Sequence, residues 1–290
     1  MKRVYSIISI LSFMFASCSG FLEEYSQDTA YVRGYEDLDE LLLGSVYMPT
    51  NAPEHMGYTY GTDGWYYPYI HLMTDEVQEN IRSSGNGASW DARERYFGYY
   101  TWQQQVGIDA LGTSIRKESS DWNKIYKHIN IANMILASID EQSTPKEEDE
   151  LEVMRIKGEA YFLRGAYYFI LVNLYGKPYT KTGAKNDLGV PIKNTEYIED
   201  KVYGRNTVEE VYAQVLADLG EAEKCLEKTV HKSIYRADIT ATYLLLSRVH
   251  LYMQNWEMAE SYAKKVLAKQ DDLRDLNMME GIPFFLDTTL

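Results

Sequence analysis

A chain of 290 residues, 45% of them hydrophobic, can bury one large core or two ordinary ones. Its 29 basic and 43 acidic residues leave a formal charge of −14, which argues against nucleic-acid binding and against adhesion to a membrane by charge, since both need clustered Lys and Arg. Two cysteines, Cys18 and Cys225, give no disulfide framework and no paired-cysteine metal site.

The chain opens with Met1-Lys2-Arg3, then an apolar run from Val4 to Ala16 interrupted only by serines. The run is shorter than the ~20 residues a bilayer span needs, so residues 1–17 read as a signal peptide. Ala16 and Ser17 lead directly into Cys18 in an arrangement that resembles a lipobox, with Phe15 where leucine is usual. Cys18 is therefore the expected lipid anchor, by thioether-linked diacylglycerol and an added acyl chain such as palmitate. Several acyl chains at ~0.8 kcal/mol per buried methylene make such an anchor permanent.

Residues 18–46 read as a tether and a first helix, with Leu38, Leu41 and Leu42 on one face. Residues 47–118 are different in kind. They are rich in Gly, Asn, Asp, Pro and aromatics, with one cluster at Tyr58, Tyr60, Trp65, Tyr66, Tyr67 and Tyr69 and another at Trp90, Tyr96, Phe97, Tyr99, Tyr100 and Trp102. Ser83 to Gly87 is turn chemistry. So long a loop-rich stretch is uncommon without a function, and its aromatic content argues against disorder.

From residue 119 the pattern is helical. Trp122, Ile125, Tyr126, Ile129, Ala132, Asn133, Leu136 and Ile139 follow three-four spacing. Ser143-Thr144-Pro145 with Glu147 and Glu148 reads as the start of a helix running to about Leu174 and stopped by Gly176-Lys177-Pro178. Thr207 caps a third helix to Leu226, with Cys225 near its apolar stripe as a small core hydrophobe. A fourth helix covers about Ile239 to Met253, and Asn255-Trp256 turns into a fifth ending near Leu267. Ala241, Leu244, Leu245, Val249, Tyr252, Trp256, Ala259, Ala263 and Leu267 mix small and large residues across that last pair, the logic of tetratricopeptide repeats. Ala160 and Ala166 echo it earlier. The expected fold is mostly α, an α-solenoid of tetratricopeptide-like pairs with an aromatic, loop-rich insertion near the N-terminus, and residues 18–290 form one domain. Trp122 and Trp256 are assigned to core by their spacing.

Five stretches, in order, resemble the SusD/RagB family of outer-membrane nutrient-binding lipoproteins: Cys18 to Glu23; Trp122 to Asn133, WNKIYKHINIAN; Glu159 to Gly176, EAYFLRGAYYFILVNLYG, with Pro178; Thr207 to Leu219, TVEEVYAQVLADL; and the pair within Ala241 to Ala259. The resemblance implies a SusD-like α-solenoid held at the outer membrane by its lipid and facing the cell exterior, a placement with which Glu23 and Glu24 after the lipidated cysteine agree. It implies capture of an oligosaccharide or other nutrient, as in polysaccharide utilization, and delivery to a SusC-like TonB-dependent transporter. Members of the family usually run to several hundred residues, so the chain is expected to be a truncated member ending after the apolar stretch Gly281 to Leu286.

Sugars present C–H faces and many hydroxyls, so rings stack on them and amides, carboxylates and guanidinium groups orient them. The candidate ligand-binding residues are accordingly Trp65, Tyr67, Trp90, Tyr99 and Trp102 as platforms, with Arg82, Asn86 and Asp91 as orienting groups. No catalytic residue, cofactor or metal site is expected. The acid pairs Asp75/Glu76 and Glu147/Glu148 are the nearest thing to a glycosidase's two carboxylates, yet acids are abundant and adjacent ones are usually solvated. Asp75, Glu76 and Glu79 match no calcium loop. The alternative to a nutrient binder is a helical-repeat adaptor for a peptide or protein partner, with a glycoside hydrolase behind it.

Overall fold

The computed structural model describes residues 32–47, 73, 97–98, 101–104, 111–112, 119–197, 199–230 and 232–272, the side chains of 119–121 excepted. The chain divides into two units between Arg33 and Gly34, and the elements below belong to the second. They are α1 (Tyr35–Leu41), continued by a π-helical turn (Leu42–Val46), α2 (Ser119–Ser138) with a short 3-10 turn (Ile139–Glu141), α3 (Glu147–Tyr175), α4 (Val208–Leu226), α5 (Ile239–Tyr252) and α6 (Trp256–Leu267). Among the described residues there is no strand, only one isolated antiparallel bridge between Leu188 and Thr207. The expected leader, Cys18 and residues 273–290 lie outside the described residues.

Each helix packs on its neighbour in sequence, α2 on α3, α3 on α4, α4 on α5 and α5 on α6, while α1 and its π turn lie against α2 and α3. That order is the expected helix-pair stack. α3 is its centre, with Ile156, Ala160, Leu163, Tyr167, Tyr168, Leu171 and Val172 buried on several faces rather than one stripe. Facing it are Ile125, Ile129, Ala132 and Ile135 from α2 and Val208, Val211, Val215 and Leu219 from α4, all essentially inaccessible.

Local chemistry sets the helix ends. Thr207 Oγ1 accepts from Glu210 N–H at 3.2 Å while the Glu210 carboxylate accepts from Thr207 N–H at 2.8 Å, a reciprocal cap that fixes the start of α4. The Asp238 carboxylate accepts from Ala241 N–H at 2.8 Å and opens α5. α3 begins two residues past Pro145, because Asp149 takes the Lys146 N–H at 3.1 Å and makes Lys146 the capping position. At the other end of α3, the Arg205 guanidinium donates to the carbonyls of Tyr175, Leu188 and Gly189 at 2.6, 3.2 and 2.6 Å, satisfying groups the helix leaves open.

The close contact of α3 with α4 runs through glycines. A Cβ on Gly158 would stand 2.7 Å from Leu226 Cγ and 2.9 Å from Cys225 Cβ, and one on Gly165 would stand 3.2 Å from Asp218 Cβ. Cys225 is buried, as its helical position implies.

Trp122 packs on the core against Tyr126 and Tyr175. Trp256, also assigned to core, is 62% exposed. It is the first residue of α6, and helical side chains lean toward the N-terminus, so its indole projects past the helix end into solvent. Ala259, one turn later, makes the contact instead, at 6% exposure.

Candidate functional site

Of the eight candidate ligand residues, Trp102 is described; Trp65, Tyr67, Arg82, Asn86, Trp90, Asp91 and Tyr99 lie outside the described residues. Trp102 closes a short helical turn. Thr101 N–H donates to Phe97 O at 3.1 Å, Gln103 N–H donates to Gly98 O at 2.9 Å, and Thr101 Oγ1 also donates to Phe97 O. The six-residue closure puts Trp102 at the left-handed position that glycine usually fills, with φ +56°. For a bulky side chain that conformation costs about 1–2 kcal/mol, and sparsely populated backbone of this kind clusters at ligand-binding sites.

The turn leaves the Trp102 indole 61% exposed, with Gln103 and Gln104 exposed beside it. The group therefore offers a flat apolar face, an indole N–H donor and two primary amides, each amide both donor and acceptor. A pyranose has the matching chemistry: an apolar face of C–H groups and a rim of hydroxyls. The two glutamines were absent from the sequence expectation, and their adjacency to Trp102 is the signal that pointed to them. Within the same segment Met73 packs against the core.

A balanced ionic network fixes the point from which the aromatic segment departs. Tyr47, the last described residue before it, donates its hydroxyl to Glu159 Oε2 at 2.6 Å and accepts from Ala237 N–H at 2.8 Å. Glu159, 1% exposed, also receives Arg155 Nη1 at 2.7 Å and Arg236 Nε at 2.9 Å. Both arginines bind Asp39 of α1, Arg155 at 3.1 Å. Glu152 receives Arg155 and Lys232, each at 2.8 Å. Three cations thus meet three carboxylates. Burial pulls the Asp39 carboxyl upward, but Arg236 and Arg155 override it and hold it below its usual range. Burial and the Glu159 charge push the Tyr47 hydroxyl far up. Just before it, Tyr167 Oη donates to Val46 O, and His128 Nδ1 meets Ser45 O at 2.6 Å.

A second network ties α2, α3, α4 and the loop after α3 together. Arg164 holds Asp218 through Nε at 3.0 Å and Nη2 at 2.5 Å, and reaches Asn133 Oδ1 at 2.8 Å. Asn133 in turn donates to the carbonyls of Lys193 and Thr195 at 2.9 and 3.1 Å. Tyr168 Oη exchanges two 2.8 Å bonds with the Lys193 backbone, and Tyr126 Oη donates to Pro191 O at 2.7 Å. The buried carboxylates of both networks are saturated by arginine, which is structural chemistry. Glu147 and Glu148 are exposed in the first turn of α3; Asp75, Glu76 and Glu79 lie outside the described residues. Among the described residues no group of three or more His, Cys, Asp or Glu could hold a metal ion, and no helix is long and apolar enough to cross a membrane.

The molecule is thus a mostly helical stack of packed pairs whose polar joints hold the entry of an aromatic segment, part of which presents a sugar-compatible surface. Residues 66–251 match the family model of SusD-like proteins described as starch-binding and associating with the outer membrane, and the chain belongs to that family. The starch-binding protein SusD of Bacteroides thetaiotaomicron is 23% identical over 287 residues, covering 92% of this chain and 45% of that protein. A SusD-like protein of Formosa agariphila is 26% identical over 186 residues, covering 62% of this chain and 33% of its own length. The solved structure of a candidate sugar-binding protein of Bacteroides vulgatus superposes with a TM-score of 0.52 at 29% identity, over 61% of this chain and 37% of that one. The chain therefore spans less than half the length of these relatives.

Proposed function

We propose that this chain captures a glycan at the outer membrane and delivers it to a SusC-type TonB-dependent transporter for import. The observation that carries the reading is Trp102, a solvent-exposed indole on strained left-handed backbone with Gln103 and Gln104 beside it, in a chain of a starch-binding family. A ring held ready for a sugar face lowers the ordering cost of binding. Trp65, Tyr67, Trp90 and Tyr99 extend the platform, and Arg82, Asn86 and Asp91 orient the hydroxyls. Cys18 carries the lipid that holds the protein on the exterior face. The chain acts by binding, and the buried carboxylates among its described residues are held by arginine.

The test is made in cells. Removing the gene should abolish uptake of one class of polysaccharide fragments, a plasmid copy should restore it, and a Trp90→Ala/Trp102→Ala copy should restore it poorly. The protein should also be labelled by a membrane-impermeant reagent and co-purify with a transporter. Full rescue by the double variant would contradict the assigned site, and undiminished uptake in the deletion strain would contradict the role in import.

A further inference from the structure

The connection between α4 and α5 carries an exposed apolar tip that neither the core nor the glycan site uses. Arg236 N–H donates to Ser233 O at 2.9 Å and Tyr235 N–H to Ser233 Oγ at 3.3 Å, closing a turn over 233–236. Its two central residues are Ile234 and Tyr235, positions that Gly, Pro, Asn and Asp ordinarily fill. They are 82% and 76% exposed, and Val230, on the approach to the turn, is 80% exposed. Single exposed apolar residues are unremarkable; three on one connection are not.

The base of this tip is rigid. Arg236 is ion-paired to Asp39 and Glu159, Ala237 N–H is held by Tyr47 Oη, and Lys232 is paired with Glu152. Two of the loop's cations are therefore neutralised at its root, and the tip offers hydrocarbon and a phenol rather than charge. Asp39 sits in α1, five residues past Gly34, where the preceding 33 residues join this unit. The apolar tip and the chain's entry point are thus bonded to each other at one end of the stack. Lys185, in the loop beyond the C-terminal end of α3, lies toward the other, because α3 runs roughly 35 Å from Glu152, which holds Lys232, to Tyr175.

We propose that Val230, Ile234 and Tyr235 rest in the headgroup–acyl boundary of the membrane that tethers the chain, and so set the orientation of the helical stack on the bilayer. The proposal rests on the reading of Cys18 as the lipid anchor. Cys18 to Gly34 spans at most about 55 Å when extended, which lets the tip reach the surface and keeps it at high effective concentration there, so weak insertion suffices. A tyrosine flanked by aliphatic residues suits that boundary, its ring apolar and its hydroxyl wet. Glu147, Glu148, Asp149 and Glu150 occupy the first turn of α3 at the same end, so the contact is with a neutral interface and weakens on an anionic one.

The experiment uses the chain from residue 19 onward, with a hexahistidine segment in place of the lipidated cysteine, on nickel-chelating phosphatidylcholine vesicles, so that its outcome does not depend on native lipidation. A polarity-sensitive fluorophore is placed at Ile234→Cys or, as control, at Lys185→Cys, whose parent side chain is 70% exposed; Cys225 is buried, and labelling of the parent protein corrects for it. The expected result is a blue shift at position 234 on vesicle binding, at least threefold stronger quenching there than at 185 by a headgroup nitroxide lipid, and a loss of about half the shift on phosphatidylglycerol-rich vesicles. Equal, water-like emission at both positions would overturn the proposal, as would a shift at 234 that needs an added membrane protein. Flotation of the natively processed protein with vesicles is measured separately: its absence contradicts the anchor at Cys18, while the fluorescence still decides the tip.

Discussion

Replacing Arg164 by Met removes the one cation among the described residues that touches Asp218, whose side chain is 2% exposed. Gln214 Nε2, at 2.9 Å, is the remaining side-chain donor to that carboxylate. Burial already pulls the Asp218 carboxyl upward, and Arg164 is what opposes it. Breaking a buried pair from one side costs about 3–5 kcal/mol. Loss of the 2.8 Å bond to Asn133 falls within that figure, since both interactions vanish with one guanidinium. At about 2–4 °C per kcal/mol for a chain of this size, the melting temperature should fall by about 6–20 °C. Arg164→Met/Asp218→Asn removes both charges, and it should recover more than half the loss, because a buried pair is worth little net against neutral groups that pack well. Urea unfolding of the two single variants and the double variant, followed by circular dichroism, closes the cycle. A loss under about 1 kcal/mol for Arg164→Met, or additive single effects, would refute the placement of this pair at the α3–α4 joint.

Further outcomes follow from the same geometry. Gly158→Ala sets a methyl group 2.7 Å from Leu226 Cγ and should cost about 1–3 kcal/mol by overpacking, read as a lower urea midpoint. Thr207→Ala removes the α4 cap and should cost about 1 kcal/mol; an unchanged midpoint would show the cap to be idle. Burial lowers the pKa of His250, and at His128 it outweighs the raising effect of the hydrogen bond to Ser45 O. Their contribution is thus complete above the free imidazole value of ~6.5 and is lost as pH falls below it. His250→Gln should flatten the stability profile just below pH 6.5. Asp39 and Glu152, held low by their cations, act in the same direction in a lower window, giving stability present above ~4 and lost as pH falls further. Stability that rises on acidification through either window would contradict those assignments. Trp90→Ala and Trp102→Ala should each weaken retention in polysaccharide-containing gels without altering the circular dichroism.

Much of the helical stack was written in local patterns. The Thr207/Glu210 pair marks the start of α4 to the residue because capping is a three-residue interaction, whereas Asn255 precedes α6 without a side-chain capping bond. Leu38 on α1, Leu42 at the start of its π-helical turn, and Ile125, Ile129 and Ala132 on α2 are buried where three-four spacing puts them. What joins the helices was not legible. Asp39 and Arg236 are 197 positions apart, and Arg164 and Asp218 fall in register with the apolar stripes of α3 and α4, where their charge alone hides that they pair with each other. Gly158 and Gly165, which no periodic pattern singles out, let α3 and α4 approach. Trp256 misled because spacing ignores the direction in which a helical side chain leans at the first position. For the glycan site, composition singled out an aromatic segment and Trp102 within it, but the left-handed turn that exposes that ring depends on hydrogen bonds spanning Phe97 to Gln103, which no periodicity encodes.

The most direct measurement is titration calorimetry of the protein with a panel of soluble oligosaccharides beginning with maltooligosaccharides, comparing the native sequence with Trp102→Ala and with Trp256→Ala as an equally exposed indole away from the site. Saturable binding of at least one glycan class is expected, weakened about tenfold or more by Trp102→Ala, a loss of ~1.4 kcal/mol or more, and left unchanged by Trp256→Ala. No binding across the panel, or equal affinity for the native and Trp102→Ala proteins, would contradict it.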